Sequence, residues 1–411
     1  MEEVSRFAVG LDVGTENVRA VMTSLDKDGA LSVVGYGEAP NTGMRKGSVV
    51  NLSGPAEAID KVLGEVERMT GKEIDSAVVS INGTSIYSFR TTGMIVTGPE
   101  NHEINEEDLA RIEDVAVRGQ LPPNLEVLEV VPLEYSLDNH TGIKNPLGMI
   151  GTKLEVRTNV VSALAQNCMN LRRTTEGVKV AAERLVPSVV AAAEVVMNEA
   201  QAENGVAIVD IGAATTGVAI FEEGDLQHVG VIPIGSNNIT NDLAIVLEIS
   251  RAVAEDIKRR FVTGAFSESE KEIIIKQGRE ELRFDRFEVN ELVKGRLKEI
   301  FEAVRKELKQ AHYDKRLPEG VVLVGGGAKM RDIEIYAKEV LEAAVRVGVP
   351  NGFNGVAEAV AKPEYAAAAG LALMAARVEG QRTTKKLSKH QKQKQLNKNK
   401  DGWLKSLLKK F

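Results

Sequence analysis

A chain of 411 residues, 43% hydrophobic and 27% charged, is long enough for two or more domains with substantial cores and has the balance of a soluble globular protein. Its one cysteine, Cys168, excludes an intrachain disulfide and fits a reducing compartment, and its five scattered histidines give no structural-zinc spacing. The net charge of −7 is unevenly divided: residues 381–411 carry +10 and residues 1–380 carry −17, so the basic tail suits a polyanion, either nucleic acid or an anionic membrane. The opening MEEVSRF lacks the apolar core of a secretory signal, and no apolar run approaches the roughly 18–20 residues that span a bilayer.

In chain order, Ala8 to Met22 reads as two short strands around a polar turn. Gly14 lets backbone approach a ligand, Thr15 and Asn17 add donors, and Asp12 at the strand end can hold a cation directly or through water. Taken alone, an ordinary β-hairpin explains the pattern as well. Leu31 to Tyr36 reads as a third strand, and Met44 to Gly47 as a polar loop. Pro55 opens a helix with a stripe of Ile59, Val62, Leu63, Val66 and Met69, closed by Gly71. Asp75 to Ile81 follows as a strand, giving an α/β half.

From about Asn82 to Ala165 the alternation changes to a small α+β insertion. Tyr87 to Val96 is strand-like, and Asn105 caps a helix with Glu106, Glu107 and Asp108 in its first turn. Pro132 marks an edge or a bulge within the β-rich run Val127 to Tyr135. Gly142 to Met149 reads physically only as a Gly/Pro-rich turn. Val178 to Asn198 is expected to be a helix, with Pro187 near its start.

Ala207 to Phe221 repeats the first hairpin: apolar strand, Asp210, Ile-Gly212, Ala213-Ala214, Thr215, apolar strand. Two such hairpins about 200 residues apart suggest duplicated halves facing one phosphate. Val321 to Val324 runs into Gly325-Gly326-Gly327-Ala328. Glu255 and Lys258 share a helix face, as a plain surface ion pair also would. Val289 to His312 is a long amphipathic helix carrying Arg296 and Glu299, and Glu364 to Arg377 is Ala-rich with Gly370 inside it. Residues 380–400 have the composition of a disordered linker. Trp403, Leu404, Leu407, Leu408 and Phe411 then cover one arc of a short helix whose opposite arc is lysine-rich, the pattern of an interfacial anchor. The tail has few aromatics for base stacking, which argues against nucleic acid.

The ordered trio of loops resembles the phosphate 1, phosphate 2 and adenosine motifs of actin-like ATPases, and the Gly142 to Met149 loop within its insertion narrows the resemblance to the FtsA family of bacterial cell-division proteins. That resemblance implies an α/β, actin-like ATPase fold of two lobes around a nucleotide cleft. It implies subdomain 1A over 1–84 and 166–200, inserted subdomain 1C over 85–165, 2A over 201–235 and 321–380, and 2B over 236–320. A basic linker over 381–400 and an amphipathic helix over 401–411 complete the chain.

The same resemblance implies ATP with Mg²⁺, the metal held through water by Asp12 and Asp210. Phosphates would lie on Gly14, Thr15, Asn17, Gly212, Ala213, Ala214 and Thr215. Glu255 and Lys258 would reach ribose and adenine, Gly325 to Ala328 would bind the adenosine, and Gly235 is a further nucleotide-binding residue. Arg296 and Glu299 would meet the FtsZ C-terminal tail. Further implied are head-to-tail filaments of the chain itself, later division proteins recruited through 1C, an anionic membrane under the terminal helix, and a peripheral location on the cytoplasmic face of the membrane at the division site. Val186 stands where many relatives place a water-positioning Glu or Gln, so slow or negligible hydrolysis is expected. Other readings of the scaffold are a type IV pilus adaptor and a small-molecule kinase.

Overall fold

The computed structural model describes residues 6–26, 30–99, 101–260, 271–277 and 280–378. The linker over 381–400 and the anticipated helix of Trp403, Leu404, Leu407, Leu408 and Phe411 lie outside the described residues.

Two lobes repeat one plan. In the first, strands Arg6–Val13 and Asn17–Leu25 form an antiparallel hairpin with Asp12 opposite Arg19. Ser76–Ile81 lies parallel to the first of these strands. In the second lobe, Val206–Ile211 and Thr216–Glu222 form the matching hairpin, with Asp210 opposite Gly217, and Val321–Val324 lies parallel beside it. Each lobe therefore ends a buried strand at an aspartate, turns on a glycine and flanks the turn with the C-terminal end of a parallel strand, where open α/β sheets bind ligands.

Helix Ser53–Thr70 covers the first sheet, and Gly71 ends it with its N–H on the Glu67 carbonyl. The anticipated stripe holds for Ile59, Val62, Leu63 and Val66, but Met69 is exposed. Val66 and Thr70, one turn apart, take the place over Gly35 instead, which turns Met69 outward.

Residues 181–187 are a strand rather than the start of a helix: Ala181–Pro187 runs parallel to Ser76–Ile81. A proline disfavours the helical region for the residue before it, so Val186 is held extended and the helix begins at Ser188 and ends at Val196. That helix packs closely against the Ala-rich helix over 366–378. A Cβ on Gly370 would overlap the Ala191 carbonyl, so only glycine permits this approach.

The insertion folds as strands Tyr87–Val96, Leu125–Leu137, His140–Ile143 and Lys153–Leu164 with helix Glu106–Val117. Asn105 caps the helix, and Asp108 closes a capping box by accepting the Asn105 N–H while also meeting His102 at 2.6 Å. Pro132 sits at a register shift in the ladder to Lys153–Leu164, as a residue without an N–H requires. The insertion belongs to the first lobe in sequence, yet its sheet continues that of the second through one ladder pair, Gly230 with Tyr87.

Candidate functional site

The two hairpin turns face each other across a cleft of about 900 Å³. Both close in the same way: the Gly14 N–H donates to the Asn17 carbonyl at 3.0 Å and the Gly212 N–H to the Thr215 carbonyl at 2.9 Å. Each turn is braced from behind. Asn41 donates to the Gly14 carbonyl at 2.7 Å, and the first N–H groups of helix Ser236–Val246 donate to the carbonyls of Gly212 and Ala213 at 2.9 and 2.8 Å. Thr15 accepts the Gly47 N–H at 3.3 Å, which leaves its own hydroxyl proton for a ligand.

The two aspartates form the floor. Ser80 donates to Asp12 Oδ1 at 2.7 Å, and Ser188 lies 2.8 Å from Asp210 Oδ2 and 2.6 Å from Asn82 Oδ1. Burial pushes the Asp12 carboxyl up, against the opposing pull of Ser80 and Arg19. Loss of hydration, then the charge of Asp12, pushes Asp210 up to about 6. Two desolvated carboxylates, with the charge of Asp12 disfavouring that of Asp210, form a hard-oxygen donor pair that suits Mg²⁺, which takes one or two carboxylates and completes its shell with water and phosphate. Among the described residues no group of three or more acidic, His or Cys side chains forms an all-protein metal cage.

The third loop supplies a flat wall. Strand Val321–Val324 enters a turn whose Gly325 has φ +85°, where a Cβ would overlap Asp210 Oδ1. Gly326 has nothing within 4 Å of where a Cβ would stand, so the backbone there is open to a ligand. On the second-lobe side Lys258 and Glu255 pair at 2.7 Å, with Thr240 bridging at 3.0 and 2.7 Å. Burial takes the Lys258 ammonium below its ordinary value despite Glu255, while Lys258 and Thr240 outweigh burial and lower Glu255. With Lys258 buried, this is no plain surface pair.

Asp12, Gly14, Thr15, Asn17, Asp210, Gly212, Ala213, Thr215, Glu255, Lys258, Gly325, Gly326 and Gly327 all line this one cleft. Ala214, Gly235 and Ala328 do not. Gly235 packs against the Ala213 backbone behind the turn, and Ala328 is buried with its N–H on the Gly325 carbonyl. Val186 also stays out, buried in the sheet opposite Ser80.

Sequence reasoning missed several residues that line the cleft or brace its aspartates. Ser80, Asn82 and Ser188 stand at or just beyond strand ends, a position that could have marked them. Glu16 reaches across the cleft to Asn237 and Arg251, both at 2.7 Å. Arg19 pairs with Glu38 at 2.6 Å and lies over the Tyr365 ring, and its buried Nε has no protein partner.

Arg296 lies elsewhere, in a shallow groove between helices Ser236–Val246 and Arg286–Gln310. Its guanidinium grips both Asp242 oxygens at 2.6 and 2.9 Å and also meets Glu299. Ile245 and Val246 stand exposed along this groove.

The family model described as "Cell division protein FtsA" matches residues 207–370, and that of the "SHS2 domain inserted in FTSA" matches residues 83–162. The cell division protein FtsA of Pseudomonas aeruginosa is 34% identical over 370 residues, covering 89% of this chain and 88% of that protein. Among solved structures, a chain of the PilM–PilN type IV pilus biogenesis complex superposes with a TM-score of 0.65 at 17% identity, covering 90% of this chain and 98% of that one. MreB5 of Spiroplasma citri bound to ADP gives 0.53 at 13% identity, covering 89% and 94%. These two likenesses are of fold alone: the actin-like fold, here with an inserted SHS2 subdomain. The sequence relatives carry more, and the chain belongs to the FtsA family of cell division proteins.

Proposed function

We propose that this division protein binds ATP with Mg²⁺ in the cleft and uses nucleotide state to govern its own assembly into head-to-tail filaments. The observation that carries this reading is the pair of facing turns with the same hydrogen-bond closure, each headed by a desolvated aspartate, beside an open glycine wall. Gly14, Thr15, Asn17, Gly212, Ala213 and Thr215 would hold the phosphates, and Asp12 and Asp210 would hold the metal through water. Gly325 to Gly327, Glu255 and Lys258 would take the nucleoside. Mg²⁺, when bound, would neutralise phosphate charge. The chain's own residues bind, orient and exclude water, and Val186 offers no atom to position an attacking one. Turnover is therefore slow.

The remaining parts of the reading concern partners. The groove beside Arg296 and Glu299, with its exposed Ile245 and Val246, suits the short C-terminal tail of FtsZ. The inserted subdomain would receive later division proteins, and no nucleic acid is invoked. The terminal helix of Trp403, Leu404, Leu407, Leu408 and Phe411 would lie in the cytoplasmic face of an anionic membrane. Filaments would multiply weak anchors through avidity.

Co-sedimentation of the purified chain and FtsZ with anionic liposomes tests this reading. FtsZ should follow the protein to the vesicles, more strongly with ATP than without. Deleting Gly402 to Phe411 should abolish membrane binding, and Arg296→Ala should leave the protein on the vesicles but lose FtsZ. Unchanged recruitment in both variants would refute the tether.

A further inference from the structure

A second cavity, of about 370 Å³, lies where the insertion meets the second lobe, away from the nucleotide cleft. Three pieces of chain form it: strand Tyr87–Val96 brings Arg90, strand Asp225–Ile232 brings Gln227 and His228, and the segment after helix Arg286–Gln310 brings His312, Tyr313 and Arg316.

One acid, Glu222, lines this cavity and a second, Glu307, lies beside it, and each has a partner. Glu222 accepts the Tyr313 hydroxyl at 2.8 Å, and Glu307 meets His228 Nε2 at 2.8 Å. The cations are less engaged. Arg90 gives one N–H to Gln227 Oε1 at 2.9 Å and also meets the Tyr313 hydroxyl, while the side chains of His312 and Arg316 make no hydrogen bond or ion pair with a described residue. Two guanidinium groups thus face one space from opposite sides of a subdomain joint. A guanidinium is weakly hydrated and its planar fork matches phosphate and carboxylate oxygens.

The joint is narrow in hydrogen bonds. It holds one ladder pair, a Ser88 hydroxyl that accepts the Val229 N–H at 2.8 Å, a buried Asn159 amide on the Leu226 carbonyl at 2.8 Å, the Arg90–Gln227 bond, and exposed Lys144 between Glu223 and Asp225. Beneath them Val161 of the insertion and Leu226 and Val229 of the second lobe lie buried in one apolar cluster.

We infer that this cavity is a binding site for a small oxyanion, phosphate or carboxylate, held between Arg90 of the insertion and Arg316 of the second lobe. An anion there offsets the repulsion between the two guanidinium groups and tightens the joint, so occupancy couples the insertion to the second lobe.

Calorimetric titration of the full chain with inorganic phosphate, and in a separate arm with citrate, tests the site. At least one probe should bind saturably, and the stronger one names the source of the oxyanion. Arg90→Gln and Arg316→Gln should each weaken that binding about tenfold or more, the loss expected for charge-assisted hydrogen bonds. Arg316 is exposed, so its substitution leaves folding intact, checked by an unchanged melting curve. Asp210→Ala, which disables the nucleotide cleft, should leave this binding unchanged, so failure here is separate from failure of the nucleotide reading. The site is refuted if neither probe saturates, if binding survives both arginine substitutions, or if Asp210→Ala removes it.

Discussion

The two cleft-facing hairpins share a turn but differ in what each is tied to. Gly14 and Gly212 close the same way, and each preceding aspartate meets a serine hydroxyl. The first serine, Ser80, comes from the neighbouring strand of its own lobe. The second, Ser188, starts helix Ser188–Val196, which follows a strand of the first lobe's sheet. Asp210 is therefore braced by the opposite lobe, and Asp12 by its own. The turns differ again beyond the glycine. Glu16 in the first spans the cleft to Asn237 and Arg251, whereas Ala213-Ala214 in the second carry no polar side chain. The two aspartates of a duplicated motif are thus held differently, one from within its own lobe and one from across the cleft.

The largest break in that arrangement is Gly325→Ala. Its φ of +85° is a conformation L residues rarely adopt, at a cost of roughly 1–3 kcal/mol. The new Cβ would also displace the Asp210 carboxylate, so the second hairpin should lose its aspartate geometry while the first stays intact. Nucleotide titration should read a near-complete loss of Mg²⁺-dependent affinity with a lowered melting temperature. Gly326→Ala, one residue on with open space around it, should keep the melting temperature and lose only affinity.

Asp210→Asn sharpens the comparison with an opposite sign on stability. The Asp210 pKa stands at about 6, above its ordinary 3.8, so its ionised form is disfavoured in the folded state. A raised carboxyl gives stability that is fully present below about pH 3.8 and is lost as pH rises through about 6. Above pH 6, in the absence of nucleotide, Asp210→Asn should melt higher than the parent protein, and at low pH the two should converge. The same variant should bind Mg²⁺·nucleotide more weakly. A melting difference that persists unchanged at pH 3 would refute the electrostatic cause.

How much of this was legible in sequence follows from distance along the chain. Each hairpin is local, so Asp12, Gly14, Asp210 and Gly212 could be read from short patterns, as could the Asn105 cap. The strand Ala181–Pro187 was hidden because its Ala, Glu, Arg and Leu favour a helix, and a parallel partner over 100 residues away overrode that preference. The serines that brace the aspartates were hidden for the same reason: Ser80 lies 68 residues from Asp12. Glu16 meets partners 221 and 235 residues away, and no local pattern encodes a contact that two lobes make by facing each other. Ala214, Gly235 and Ala328 were read as lining because motifs count positions, whereas a turn sends only some of them toward the cavity.

The smallest expected effect belongs to Glu16→Gln. The Glu16 and Arg251 side chains are each about half exposed, at 49% and 53%, so solvent screens the pair and its contribution to stability should be under about 1 kcal/mol. Glutamine keeps an acceptor for Asn237 while removing the charge that holds Arg251. The global melting temperature should hardly move. What should move is local: amides at the first turn of helix Ser236–Val246, which brace the second hairpin, should exchange faster because the strap across the cleft is weaker. Amides at the Gly14 turn, held by Asn41 from within the first lobe, should not. If hydrogen exchange rises equally at both turns, Glu16 braces the two halves alike, and the contrast between the two hairpins fails.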